Sequence, residues 1–111
     1  MSNCPQVVLC TCPDLAVAQG IAEQLVERRL AACVNLLEGV ASVYRWQGKI
    51  EQDRECLLII KSTAECYGAL EKCVSELHPY ELPELIAFSI AGGSKAYLDW
   101  IGESVWTFPA K

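Results

Sequence analysis

The chain has a single imidazole, His78, and two early thiols, Cys10 and Cys12, are the side chains best suited to work with it. Residues two apart on a strand project from one face, so both sulfurs point the same way. Two thiolates and an imidazole suit a soft ion such as Cu(I), or Zn(II) with one further ligand. The competing role is packing, since free cysteine is among the most buried residue types and fills space as a small hydrophobe. His78 opens the run His78-Pro79-Tyr80-Glu81-Leu82-Pro83-Glu84, in which two prolines fix their own φ and bias the preceding residue towards extended backbone. The result is a stiff connector carrying an imidazole, a phenol and two carboxylates. At the negative end of a helix the imidazolium form is favoured, with capping of the terminal carbonyls as the other role for the ring. Tyr80 packs its ring and hydrogen-bonds its hydroxyl. Glu84 is the carboxylate expected to be held in place, and Lys61, at the end of a long strand, is positioned by sequence to pair with it or to receive an anion.

These groups need a scaffold, and the composition supports one. The chain has 111 residues, 52% hydrophobic and 21% charged, which describes a globular protein. A net charge of −5 and nine scattered basic residues argue against nucleic acid, whose phosphates are held by clustered Lys and Arg. The basic doublet Arg28-Arg29 falls at a helix end, where it complements the dipole. No apolar run approaches the roughly 18 residues of a spanning helix, so no membrane partner is expected. No signal-peptide pattern is visible at the start. Seven cysteines, an odd number without the spacing of a secreted disulfide framework, point to reduced thiols and the cytoplasm.

Residues 6–12 form a short, largely buried strand. Pro13 and Asp14 open a helix to about residue 30, proline in the first turn and the acid at the positive end. Its apolar positions are Ala18, Ile21, Ala22, Leu25, Val26 and Leu30. Gly20 inside it costs about 1 kcal/mol relative to Ala, which close approach to a neighbouring backbone would explain. Residues 32–47 are strand-like with a bulge at Glu38-Gly39. Gln47-Gly48-Lys49 makes a turn, and residues 50–61 return as a second long strand. Ser62-Thr63-Ala64-Glu65 has capping-box spacing and starts a helix burying Cys66, Leu70, Cys73, Val74 and Leu77. Pro79 stops that helix. Leu85 to Ala91 is a further strand, Gly92-Gly93 a turn, and Ser94 caps a short last helix with Tyr97, Leu98, Trp100 and Ile101. The tail Val105-Trp106-Thr107-Phe108-Pro109 is apolar and has to dock. Cys33, Cys56, Cys66 and Cys73 fall at packing positions of their elements, and Cys4 in a loose N-terminus is the thiol most open to oxidation.

The order β-α-β-β-α-β with a C-terminal helix predicts an α+β, ferredoxin-like sandwich with helices on one face of an antiparallel sheet. The name concerns topology only, since no cysteine spacing supports an iron–sulfur cluster. The central hairpin is about twice as long as the outer strands, so its distal half projects past the sheet. An isolated two-stranded arm is marginal in water. Tyr44, Trp46 and Ile50 on that arm are therefore expected to pack on another subunit, with Trp46 as the anchor.

With the long hairpin, Ala31-Ala32-Cys33-Val34-Asn35, Trp46-Gln47-Gly48-Lys49 and His78-Pro79-Tyr80-Glu81-Leu82-Pro83-Glu84 in place, the chain resembles the CutA divalent-cation tolerance family from about Val7 to about Ser104. Leu9-Cys10-Thr11, Ile60-Lys61 and Tyr97-Leu98-Asp99-Trp100 fall in the same order and spacing. The resemblance implies one ferredoxin-like domain over residues 1–111, with 1–5 and 106–111 as terminal extensions. It also implies a homotrimer similar in architecture to PII signalling proteins, and an association with copper and divalent-metal tolerance. In bacterial members the metal positions are a first-strand cysteine and two adjacent histidines before Pro-Tyr. Cys10 and His78 match, Leu77 replaces the first histidine, and Cys12 supplies an additional thiol.

Three functions follow as expectations. The first is a cytoplasmic, non-catalytic trimer that binds copper, zinc or another divalent metal through Cys10, His78 and Cys12, walled by Lys61, Tyr80, Glu81 and Glu84. The second is a signalling trimer that takes a small molecule or a protein partner in the cleft between subunits. The third is a structural trimer. Catalysis has little support, as no nucleophile elbow, P-loop or dinucleotide fingerprint is present.

Overall fold

The computed structural model describes residues 4–107. Four strands, β1 (Pro5–Cys12), β2 (Cys33–Trp46), β3 (Lys49–Thr63) and β4 (Ile86–Ser89), form one antiparallel sheet in the order β2-β3-β1-β4. Helices α1 (Leu15–Glu27) and α2 (Tyr67–Leu77) complete the βαββαβ unit, and α3 (Lys95–Ser104) follows it. This is the ferredoxin-like α+β arrangement expected. The core lies between α1, α2 and one sheet face, where Val8, Cys10, Cys12, Leu58 and Ile60 meet Ile21, Leu25, Leu70 and Val74, all buried. α3 packs on β3 and β1 and buries Ile101.

Several ends differ from their expected chemistry. Asp14, not Pro13, begins α1: its carboxylate accepts from the Val17 N–H at 2.9 Å, which leaves Pro13 outside the helix. After the cap residue Arg28, Arg29 adopts a left-handed φ of 58°. Leu30 N–H then bonds back to Leu25 O at 2.8 Å, a C-terminal closure glycine would make with less strain. The Arg28 side chain reaches Gln24, Cys73 and Glu76. Gly20 has no atom within 4 Å of a would-be Cβ, so close approach does not explain it. The capping box is not made. Ser62 and Thr63 still belong to β3, the Ser62 hydroxyl donates to Leu30 O at 2.6 Å, and a single 3-10 turn (Ala64–Cys66) leads into α2 without a side-chain cap. The strand pairing wins because it buries Ser62 fully beside the α1–β2 connection. Leu77 closes α2 on its outer side and is 39% exposed, not part of the core.

The central hairpin behaves as its length requires. The register between β2 and β3 shifts between Leu37 and Val40, where Gly39 takes φ 76°. At the tip, Gln47 and Gly48 both have positive φ, the geometry of a tight hairpin turn whose twist matches the strands. β4 is shorter than its apolar run suggested. It covers β1 only from Gln6 to Leu9, so Cys10 to Cys12 have no strand on that side. The tail docks through Val105, which is buried, and Trp106, whose N–H donates to Arg29 O at 2.9 Å. Phe108 and Pro109 lie outside the described residues.

Candidate functional site

His78 stands where β4 is missing. As the residue after α2 it turns into extended backbone, its own N–H closing the helix on Val74 O. Its ring spans the gap: Nε2 lies 2.8 Å from Thr11 O, and Nδ1 accepts the Tyr80 N–H at 3.1 Å. A carbonyl can only accept, so these two bonds define the neutral Nε2–H tautomer. The imidazolium and the carbonyl-capping role expected at a helix end are therefore not what the ring contacts select. Tyr80 folds back over the ring at 4.7 Å between centroids.

The same turn brings together Cys10, Cys12 and His78. All three are buried, and one ligand atom from each lies within 4.8 Å of the others. β1 aims both thiols at the helices and the stiff connector delivers the imidazole. The thiols interact with each other. The Cys10 thiol donates to Thr11 O at 3.8 Å, and the neighbouring Cys12 thiol, with burial adding to it, pushes the Cys10 proton far above the ordinary thiol range. The same interaction with Cys10 lowers Cys12, against burial and the nearby Glu55 and Asp14 charges. The two thiols are thus pushed in opposite directions.

Across β1 from the thiols lies a groove of about 770 Å³. Its walls are the arm from Ser42 to Trp46 and the connector from Pro79 to Glu84, and its floor is Thr11 and Glu55. The Tyr80 hydroxyl donates to Glu55 at 2.8 Å, and burial together with that bond pushes the phenol well above its usual range. Tyr44 donates to Asp53 on the same face of the arm. Glu81 and Glu84 line the rim, both exposed, so Glu84 is not the carboxylate held in place. That is Glu55, 8% exposed, which sequence reasoning missed. A glutamate in the charged stretch before an apolar run resembles a solvated strand position. Its one sequence signal is adjacency to Cys56, the first buried residue of that run. Lys61 forms no ion pair with Glu84 among the described residues; it bonds Asn35 and lies five residues along β3 from Cys56, about 17 Å at strand spacing.

The arm residues Tyr44, Trp46 and Ile50 are all solvent-exposed. The register pairs Tyr44 with Glu51 and Trp46 with Lys49, but Ile50 with Arg45, so Ile50 projects from the opposite face of the ribbon, with Val43. The sheet face turned away from the helices is also apolar and uncovered: Leu37, Ile86 and Phe88 are about half exposed, next to partly exposed Val7, Leu9, Leu57 and Ile59.

Residues 6–104 match the family model described as CutA1 divalent ion tolerance protein. The chain belongs to that family. The divalent-cation tolerance protein CutA of Thermus thermophilus is 50% identical over 99 residues, covering 89% of this chain and 96% of the relative. A solved structure of the divalent cation tolerance protein from Thermus thermophilus superposes with a TM-score of 0.90 at 48% identity, over 92% of this chain and 99% of that one. The structure described as the periplasmic divalent cation tolerance protein CutA of Archaeoglobus fulgidus gives a TM-score of 0.89 at 37% identity, over 92% and 99% of the two chains. For a CutA1 family member the position of Leu77 is informative. Its side chain sits on the exposed side of α2, whereas the three clustered donors are buried. Among the described residues no helix is long and apolar enough to cross a membrane.

Proposed function

We propose that the chain is a divalent-cation tolerance protein that binds one soft metal ion per subunit through Cys10, Cys12 and His78, without catalysis. The observation that carries this is the convergence of two sulfurs and one imidazole nitrogen within 4.8 Å in a buried setting. The donor set fits Cu(I), and Zn(II) if a fourth ligand joins. The ion would neutralise thiolate charge inside the protein. The chain's own residues set the conditions. Cys12 is the thiol predisposed to ionise. His78 must give up either its bond to Thr11 O or the one from Tyr80 N–H. Because thiol protons are displaced, affinity rises with pH.

The uncovered apolar sheet face and the projecting arm support assembly into a homotrimer in which Tyr44, Trp46 and Ile50 contact neighbours. Seven unpaired cysteines support a reducing compartment, the cytoplasm. The family's name, a tolerance rather than a reaction, is consistent with a non-enzyme.

The test is a competitive Cu(I) titration of the reduced protein against a coloured chelator, with Zn(II) in parallel. Stoichiometric binding lost in Cys10→Ala with His78→Ala supports the site. Weak binding retained by that variant assigns the metal to adventitious thiols.

A further inference from the structure

We infer that the groove between the arm and the connector is a binding site for a small organic cation, an ammonium or guanidinium group on a short apolar stem. This does not rest on the metal reading.

Glu55 is the starting point. It is 8% exposed, yet among the described residues it forms no salt bridge; the ion pairs there are Arg28–Glu76 and Lys95–Asp99. Glutamate is almost never this buried unless a cation or a full set of donors accompanies it. Tyr80 supplies one donor, to Oε2. Oε1 is not among the buried atoms left without a partner, so it reaches the solvent of the groove whose floor Glu55 forms. The second carboxylate oxygen therefore opens onto the cavity, where a cation can reach it.

The walls specify what completes it. Tyr44 and Trp46, the same side chains that meet neighbours in the proposed homotrimer, share the strand face that carries Glu55 and place the groove beside a subunit boundary, and Tyr80 closes the opposite side. Aromatic faces beside a shielded carboxylate attract cations through the ring quadrupole. Glu81 and Glu84 at the rim add negative charge, which draws a cation in and repels an anion. The one basic residue of the wall, Arg45, alternates to the other side of its strand and makes no ion pair among the described residues. A bare divalent ion is a poor match, because it takes about six or more oxygens and only one buried carboxylate is offered. A volume of about 770 Å³ falls within the range of small-molecule pockets, roughly 300–1,000 Å³.

The test uses the full chain with two probes, agmatine and choline, followed by thermal shift and calorimetry. Controls are 3,3-dimethylbutanol, the neutral counterpart of choline, and magnesium chloride. At least one cation is expected to raise the melting temperature saturably. Affinity should fall about tenfold or more in Glu55→Gln, which keeps the shape and an acceptor for Tyr80. Glu84→Gln, an exposed change that the fold tolerates, should weaken binding roughly twofold to fivefold. Cation binding should persist in the presence of a metal chelator, which separates this site from the metal cluster. Silence from both cations, an equal response to the neutral alcohol, or undiminished binding by the two glutamate variants overturns the proposal. So does a shift from magnesium alone, or loss of oligomer in Glu55→Gln with no probe binding, which would place a neighbour's basic side chain in the groove.

Discussion

The Tyr80 hydroxyl, carried on the connector, donates a 2.8 Å hydrogen bond to Glu55 at the inner end of the arm. This bond joins the two walls of the groove, and the same residue's N–H holds the His78 ring from behind. Tyr80 thereby links the thiol cluster on one side of β1 to the groove on the other.

Tyr80→Phe removes the donor and leaves a buried carboxylate short of a partner. A loss of about 1–2 kcal/mol is expected, read from urea denaturation with an unchanged slope. Glu55→Gln keeps an acceptor in place and should cost less. Equal losses would mean that the Glu55 charge itself, not the hydrogen bond, holds the connector.

His78 has a structural role with no metal bound. Replacing it by Ala breaks the Thr11 and Tyr80 bonds and leaves a cavity, for an expected loss of about 2–4 kcal/mol in metal-free protein. Cys10→Ala should cost about 1 kcal/mol. The two side chains share one cluster, so the double variant should not show the sum. Metal-free melting curves beside the chelator titration separate lost binding from lost folding.

Stability should decline at alkaline pH. Burial raises the thiols of Cys56 and Cys73 above the ordinary value of 9.0, and Cys10 is raised by its neighbour Cys12 and by burial. A raised group contributes fully below its unfolded value, and its contribution is lost as pH climbs towards the folded one. Cys12, which is lowered, acts in the opposite sense and is outnumbered. Denaturation midpoints should be level from about pH 7 to 8 and fall above about pH 9. A midpoint that rises there would contradict the buried-thiol account.

Gly20 lies at an exposed mid-helix position with open space around it. Gly20→Ala should therefore stabilise the fold by about 0.5–1 kcal/mol, measured as a higher denaturation midpoint. A loss would point to a contact on that side of α1 made only in the assembled protein.

For the oligomer, sedimentation should give three times the 12.2 kDa chain mass. Phe88→Glu, on the edge strand of the uncovered sheet face, should release monomers, because a charge buried in such an interface costs several kcal/mol. Trp46→Ala, on the arm, should weaken assembly to a smaller extent. Monomer at all concentrations in the unmodified protein would leave the apolar face without its proposed cover.

Much of the fold was legible because periodicity and turn chemistry agreed. The bulge at Gly39, the positive-φ turn at Gly48 and the Ser94 cap all appear where the residue types require them. What failed was local chemistry that a distant element overrode. Ser62 has the spacing of a cap but is drawn into β3 by its bond to Leu30 O, thirty-two residues away in sequence. Leu77 follows the helical spacing of the buried positions, yet α2 ends before that face meets the core. At the site, Cys10, Cys12 and His78 could be named from their types, but their convergence could not. It depends on how far β4 extends, which is a tertiary outcome. Glu55 was invisible for a related reason, since its burial comes from the connector folding over it.

The half-length β4 has a further consequence. At Thr11 the edge of the sheet is closed by a side chain instead of a strand, so its protection rests on the chemistry of one ring nitrogen. A partner that captures that nitrogen exposes a backbone acceptor on a central strand. The protein therefore has one stretch of central-strand edge whose stickiness towards other chains is under chemical control.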